Sequence, residues 1–121
     1  MITVVVVDDH RLVRAALEQL LALTDDIRVV GTAADGSAAI PLVAERRPDL
    51  VLMDISMPGV DGIETTRALL ARDPTTRVLV LTSVSEHERI LESLHAGALG
   101  YLMKDAAPEE LFDRIRSAVA S

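Results

Sequence analysis

The chain has 121 residues, 50% of them hydrophobic but only 2% aromatic, and its length fits one domain with a single core. The absence of cysteine excludes disulfides, thiolate zinc sites and thiol catalysis, and the lack of a secretion signal or of an apolar run of roughly 18 residues predicts a cytoplasmic protein that does not cross a membrane. The net charge of −7 opposes binding to nucleic-acid phosphates, because Lys and Arg supply most of that affinity.

Five short apolar runs, rich in β-branched residues, predict five buried strands at 2–7, 27–30, 50–53, 78–81 and 99–103. They are continuously apolar rather than alternating, as strands covered on both faces are. Apolar residues with helical spacing follow each run, at 12–21, 40–44, 63–70, 90–94 and 111–119. Five strands alternating with five helices predict an α/β fold, in which helices cover both faces of a parallel sheet.

Three local sequence signals concern the start of the fourth helix, the geometry of the second helix and the turn after the third strand. Ser85, with Glu88 three residues later, fits a capping box at the start of the fourth helix. Pro41 must lie in the first turn of the second helix or kink it, because proline has no N–H to donate. Pro58 and Gly59 predict a sharp turn after the third strand.

Charged or hydroxyl side chains follow four of the five predicted strands. Asp8 and Asp9 follow the first, Asp54 the third, Thr82 the fourth, and Lys104, the only lysine of the chain, the fifth. A polar residue is expected wherever any one buried strand reaches the surface. In a parallel sheet, however, all these positions lie at one edge, where ligands bind at the point at which the strand order reverses. The set therefore predicts a site.

The chemistry of this set indicates phosphoryl transfer. Carboxylates on one rim repel each other unless a cation lies among them, and several oxygen ligands without histidine or cysteine suit Mg²⁺. A lysine and a hydroxyl can bind phosphoryl oxygens. Asp54 could be a metal ligand or a nucleophile that forms an aspartyl phosphate, and the spacing leaves both open.

The chain resembles the receiver domain of two-component response regulators in four stretches, which read VVVVDDH, VLMDISMPGVDG, VLVLTS and AGALGYLMKD. They occur in the family's order and cover essentially the whole chain. The Asp-Asp-His start and the Gly-Tyr-Leu-x-Lys-Asp stretch are most similar to the LuxR/NarL class, whose members usually carry a helix-turn-helix output domain. The resemblance implies a flavodoxin- or CheY-like doubly wound sheet of order 2-1-3-4-5, with residues 1–121 forming the receiver domain and no output domain present.

The resemblance also implies how the switch would work. Asp54 would accept a phosphoryl group from a sensor histidine kinase or a small acyl phosphate. Lys104 would contact that group, Thr82 would move towards it, and Tyr101 would change rotamer in response.

The implied cofactor is Mg²⁺. By the same resemblance, Asp9, Asp54 and the backbone carbonyl of Ser56 would bind the ion directly, and Asp8 would bind it through water. We interpret His10, which stands beside two acids at a strand-to-helix junction, as a helix cap rather than a catalytic base.

The predicted function is a phosphorylation-activated signalling switch, not an enzyme, although the domain would assist its own phosphorylation and dephosphorylation. Phosphorylation could produce a homodimer, and DNA would be bound only through the absent output domain of a transcription regulator. One alternative is a stand-alone receiver that acts through protein contacts. A haloacid-dehalogenase-like phosphatase is less favoured, since it requires a second acid where His10 stands and a cap domain. A flavodoxin-like binder of FMN is disfavoured because Asp8 and Asp9 would repel the FMN phosphate.

Overall fold

The predicted strands form one sheet in the computed structural model, which describes residues 1–57 and 59–120, the side chains of residues 84 and 87 excepted. The predicted turn at Pro58 lies outside the described residues. The strands are β1 (Ile2–Val7), β2 (Ile27–Ala33), β3 (Leu50–Asp54), β4 (Val78–Thr82) and β5 (Gly100–Met103). All neighbouring pairs are parallel, and the order is β2-β1-β3-β4-β5. The predicted fold class and strand order are confirmed.

Five helices cover the sheet. They are α1 (Arg11–Leu21), α2 (Gly36–Arg46), α3 (Gly62–Arg72), α4 (Ile90–His95) and α5 (Pro108–Ala120). None of the helices in the described part of the chain is long and apolar enough to cross a membrane.

The second strand is longer than the sequence predicts. Gly31 and Thr32 pair with Val5 and Val6 of β1, after a shift of register at Val4. The local pattern missed this extension because Gly and Thr do not continue an apolar run. Main-chain pairing with a neighbouring strand nevertheless extends β2 through Ala33.

One helix prediction, the capping box, is wrong. The capping box at Ser85 does not form: residues Val84–Arg89 form a 3-10 turn, the Ser85 hydroxyl lies 2.9 Å from the Ser83 hydroxyl, and α4 begins only at Ile90. Pro41 lies inside α2 beyond its first turn. The helix starts early because Asp35 caps it, its carboxylate accepting the Ala38 N–H at 2.8 Å.

The core consists of two layers, because alternate residues of each strand point to opposite faces of the sheet. One layer packs against α2 and α3, and the other against α1 and α5. Both faces are thus covered, as the continuously apolar strands predict. From the strands the first layer takes mainly Val5, Val7, Val51, Met53, Val78 and Val80, and the second Val4, Val6, Leu50, Leu52, Leu79 and Leu81.

The start of α3 lies directly against the end of β3. The N–H of Gly62 donates to the Ile55 carbonyl at 3.2 Å, and a side chain at Gly62 would overlap the backbone carbonyl of Asp54. Glycine is therefore required for this close approach, which brings the chain back past Asp54 after a short loop.

A second link holds the same loop. The Asp61 carboxylate caps α3 by accepting the Glu64 N–H at 2.9 Å, and it also binds the Arg89 guanidinium at 2.6 Å. Arg89 closes the 3-10 turn that precedes α4. Burial opposes ionisation of Asp61, but the Glu64 N–H and Arg89 outweigh it and lower the pKa of this carboxyl.

We expect Gly62→Ala to lower the free energy of unfolding by about 1–3 kcal/mol, measured by urea denaturation. The overlap with a backbone carbonyl outweighs the helix propensity that alanine gains over glycine, which is at most about 1 kcal/mol. Gly31→Ala is the control, because its Cβ would meet only the Leu42 methyl groups, at 3.0 and 3.2 Å, and that side chain can turn. A Gly62→Ala variant as stable as Gly31→Ala would contradict the steric argument.

The Asp61 contacts predict a pH-dependent loss of stability. A carboxyl with a lowered folded pKa stabilises the fold above its unfolded value, here 3.8, and loses that contribution as the pH falls through the folded pKa. Asp61→Ala should therefore cost about 1–2 kcal/mol of unfolding free energy near pH 7, and less as the pH falls below about 4. Asp61→Asn, which keeps a capping oxygen, should cost less. A cost of Asp61→Ala that does not change with pH would refute the assignment.

Candidate functional site

Every predicted site residue that follows a strand lies at the carboxyl edge of the sheet. Asp8 and Asp9 leave β1, Asp54 ends the adjacent β3, Thr82 ends β4, and Lys104 follows β5. The strand order reverses between β1 and β3, so the carboxylates surround the point where doubly wound sheets bind ligands. The tertiary fold brings the predicted set together.

Lys104 joins two of the acids. Its ammonium lies 2.9 Å from Asp54 Oδ1 and 3.3 Å from Asp8 Oδ2. The Lys104 N–H donates to the Thr82 carbonyl at 2.7 Å, which holds the lysine backbone against the end of β4. Partial burial opposes the charged form of Lys104, but Asp54 and Asp8 outweigh it and raise the pKa of the ammonium. Lysine is thus held charged beside the carboxylates.

Asp54 is fully buried, and its two oxygens differ. Oδ1 binds the Lys104 ammonium and accepts the Ser56 N–H at 3.3 Å, whereas Oδ2 has no hydrogen-bond partner among the described residues. Burial raises the pKa of Asp54 to about 6, the negative charge of Asp8 adds to that effect, and Lys104 and the Ser56 N–H oppose it. The positive charge of Lys104 therefore does not fully offset the burial of Asp54 and its repulsion by Asp8.

The donor atoms fit a hard divalent cation. Within the described chain, three buried carboxylate oxygens accept no hydrogen bond: Asp8 Oδ2, Asp9 Oδ1 and Asp54 Oδ2. Asp8 Oδ2 lies at ion-pair distance from Lys104, but the two groups are not aligned as a hydrogen bond. Unpaired buried carboxylate oxygens cost stability, and Mg²⁺ prefers such oxygens. The acidic cluster is thus suited to such an ion.

Histidine belongs to the same cluster, contrary to the sequence argument. His10 Nδ1 lies 3.1 Å from Asp9 Oδ1 and 3.3 Å from Asp8 Oδ1, and its ligand atom lies with those of Asp8, Asp9 and Asp54 in a group whose members are within 4.8 Å of one another. His10 does occupy the N-cap of α1, as predicted, but its side chain makes no capping hydrogen bond. The sequence signal for this role is a histidine that directly follows two acids at a strand end.

Thr82 and Tyr101 lie on one face of the sheet. Tyr101 pairs with Val80, and Thr82 is two residues beyond Val80, so the side chains of Thr82 and Val80 point to the same side. The Tyr101 side chain packs against the core layer that contains Val80. The buried Thr82 hydroxyl donates to the Ser83 carbonyl at 3.3 Å rather than to Asp54.

Arg14 is a contact that the sequence did not predict. Its guanidinium donates to the Asp8 backbone carbonyl at 2.7 Å. The bond ties the first helical turn of α1 to the end of β1, so it helps to hold the acidic segment in position. Helical spacing alone could not identify it, because Arg14 is one of 12 basic residues and the contact depends on how α1 packs.

Comparison with known proteins agrees with this geometry. Residues 4–116 match the family model of the response regulator receiver domain. The chain is 47% identical over 108 residues to the uncharacterized transcriptional regulatory protein YhcZ of Bacillus subtilis strain 168, covering 89% of this chain and 50% of YhcZ. It is 40% identical over 119 residues to the nitrate/nitrite response regulator protein NarL of Escherichia coli strain K12, covering 98% of this chain and 55% of NarL.

A solved structure extends the comparison. The fold matches a two-component response regulator of the LuxR family from Aurantimonas sp. SI85-9A1 with a TM-score of 0.92 and 36% identity, covering 98% of this chain and 84% of that chain. The chain spans about half the length of the curated relatives named above. These matches favour a receiver domain over the haloacid-dehalogenase-like phosphatase and the flavodoxin-like FMN binder. The chain belongs to the response regulator receiver domain family, and its relatives are of the NarL/LuxR type.

Proposed function

We propose that this receiver domain is a phosphorylation-activated signalling switch in which Asp54 accepts the phosphoryl group. The observation that carries the proposal is the state of the buried Asp54 carboxylate. One oxygen is bound by Lys104, and the other has no hydrogen-bond partner within the part of the chain that the structure describes and lies among further acids. A carboxylate with a purely structural role would have hydrogen-bond partners on both oxygens or would be exposed to solvent.

The chemistry follows from these two oxygens. One carboxylate oxygen of Asp54 attacks phosphorus and the other remains available for the cation, while Lys104 lies beside the carboxylate at 2.9 Å. A new P–O bond forms as the donor's P–N bond in a kinase phosphohistidine, or P–O bond in an acyl phosphate, breaks and the donor retains the electron pair. Lys104 then pairs with the phosphoryl oxygens, which carry more negative charge than the carboxylate did.

Four residues would hold the cation that this site suits. Asp9, Asp54 and the backbone carbonyl of Ser56 would bind Mg²⁺ directly, Asp8 would bind it through water, and the bound ion would supply positive charge against the phosphoryl oxygens. Lys104, which lies beside Asp54 and Asp8, contributes further positive charge. The main contribution of the protein is thus to orient the reacting groups and to place positive charge beside the phosphoryl oxygens, as in other phosphoryl transfers.

Thr82 and Tyr101 are proposed to transmit the change. Among the described residues the Thr82 hydroxyl has one hydrogen bond, of 3.3 Å to the next carbonyl, so it can turn towards a phosphoryl oxygen at small cost. That movement would open space on the face that Thr82 shares with the half-buried Tyr101 ring, which would change rotamer. The phosphoryl group would thereby alter the surface near the 3-10 turn that follows β4.

The partners follow from this role. A sensor histidine kinase would be the donor, with acyl phosphates as small donors, and the domain would assist its own phosphorylation and dephosphorylation. Residues 1–121 would act as the receiver of a cytoplasmic transcription regulator that binds DNA through a separate output domain, because YhcZ is named a transcriptional regulatory protein and this chain spans 50% of it. Homodimerisation on phosphorylation is a further outcome of the same switch, and a stand-alone receiver that acts through protein contacts is the alternative to a regulator with an output domain.

Asp54→Asn should abolish phosphorylation. With acetyl phosphate and Mg²⁺, the wild-type domain should gain one phosphoryl group by intact-protein mass spectrometry, and the variant should gain none, since an amide oxygen is a poor nucleophile. Asp113→Asn, which changes an exposed residue of α5, is the control and should be fully modified. A complete adduct on Asp54→Asn would overturn the acceptor assignment.

Asp8→Asn should melt at a higher temperature than wild type when Mg²⁺ is absent. The change removes one of two buried, mutually repelling carboxylates, whose interaction costs about 1–4 kcal/mol at ~4 Å, and keeps an oxygen for the His10 N–H. Added Mg²⁺ should then stabilise the variant less than wild type, because a ligand stabilises in proportion to its binding free energy.

The control for Asp8→Asn is Asp105→Asn, which makes the same charge change on an exposed residue next to Lys104. Differential scanning calorimetry of both variants with and without MgCl₂ gives the comparison. An Asp8→Asn variant that melts below wild type in the absence of Mg²⁺ would show that the carboxylates are not in conflict.

A further inference from the structure

We propose that His10 is a fourth ligand of the acidic site and lets it bind first-row transition cations such as Mn²⁺ and Ni²⁺ through nitrogen. The inference rests on the metal site of the proposed function and extends it to the choice of metal. In this view Asp8, Asp9 and Asp54 supply oxygen donors and His10 supplies the nitrogen donor.

The position of the imidazole carries the inference. His10 Nδ1 lies 3.1 Å from Asp9 Oδ1 and 3.3 Å from Asp8 Oδ1. Ligand atoms that share one metal at bond lengths of about 2.0–2.2 Å lie roughly 3–4 Å apart. The widest separation in the cluster is 4.8 Å, and the His10 side chain is 65% exposed, so a small rotation brings the nitrogen into range.

The hydrogen bonding around His10 leaves donor atoms available for a cation. Its backbone N–H donates to Asp8 Oδ1 at 2.8 Å, but its side chain does not cap α1. Asp9 Oδ1 accepts no hydrogen bond from any described residue, although the imidazole nitrogen lies 3.1 Å from it. The fully buried Asp8 and Asp54 each direct an unpartnered Oδ2 into the same cluster. His10 Nδ1 itself lies within hydrogen-bond distance of Asp8 Oδ1, at 3.3 Å, so the imidazole is already held against the acids, while three carboxylate oxygens beside it stay unpartnered among the described residues.

The types of ligand atom determine which cations the site binds more tightly. Mg²⁺ prefers oxygen and gains little from an imidazole, whereas the affinity of a site that contains an imidazole rises from Mn²⁺ through Co²⁺ to Ni²⁺. No cysteine is present to favour soft ions. His10 would therefore raise affinity for Ni²⁺ relative to Mg²⁺ and determine the metal selectivity of the domain.

The test compares wild type with His10→Asn, which removes the imidazole and keeps a residue that tolerates the N-cap position. Isothermal titration calorimetry at neutral pH with NiCl₂ and with MgCl₂ gives the ratio of the two affinities. That ratio should fall at least about tenfold in His10→Asn, a loss of the size seen even for groups that only support a metal ligand. Pulsed electron paramagnetic resonance of bound Mn²⁺ should detect coupling to an imidazole nitrogen in wild type and none in His10→Asn.

His95→Asn is the matched control, since His95 is an exposed residue at the end of α4, and it should retain both the nitrogen coupling and the affinity ratio. An unchanged ratio in His10→Asn, or wild-type Mn²⁺ without nitrogen coupling, would overturn the inference. If Mg²⁺ binding and the acetyl phosphate adduct persist in that case, the proposed function still stands. Nitrogen-coupled binding without any adduct would instead refute the proposed function and leave the role of His10 intact.

Discussion

The interaction on which the site depends is the contact of one ammonium with two buried carboxylates. Lys104 lies 2.9 Å from Asp54 and 3.3 Å from Asp8, and without it the edge of the sheet would hold uncompensated buried charge. One positive charge remains insufficient for the cluster, since burial and Asp8 still raise the pKa of Asp54 to about 6. The protein thus retains a local electrostatic conflict that a cation or a phosphoryl group with its cation can relieve, and functional sites commonly hold such conflicts.

The rest of the fold keeps this conflict in place. The carboxyl ends of the strands meet at one edge because all neighbouring strands are parallel, and the start of α3 can lie against the Asp54 carbonyl because Gly62 has no side chain. Asp61 and Arg89 connect that loop to the 3-10 turn before α4. Asp54 therefore lies next to the start of α3, and through Asp61 and Arg89 this segment is linked to the 3-10 turn before α4. These are the two segments through which a modification of Asp54 would affect the surface.

Most of the fold could be predicted from the sequence because continuous apolar runs and helical stripes report burial directly. The failures occurred where tertiary contacts outweighed local signals. Pairing with β1 extended β2 through Gly31 and Thr32, and the capping box at Ser85 gave way to a 3-10 turn. The shared position of Asp8, Asp9, Asp54, Thr82 and Lys104 at one edge of the sheet could be predicted, since each lies at or just after the end of a strand. His10 was misjudged because a spacing argument cannot tell which way an exposed side chain turns.

The amino-acid sequence by itself determined the fold class, the edge of the sheet at which the site lies and the residue types that form it, because those follow from the periodicity of burial and from the order of the elements. Only the tertiary structure decided which oxygen of Asp54 is paired, that Lys104 contacts Asp8 as well, and that His10 joins the acids. These are distances between residues far apart in the chain or rotations of single side chains. They depend on how the strands and helices pack, and local sequence does not encode that packing.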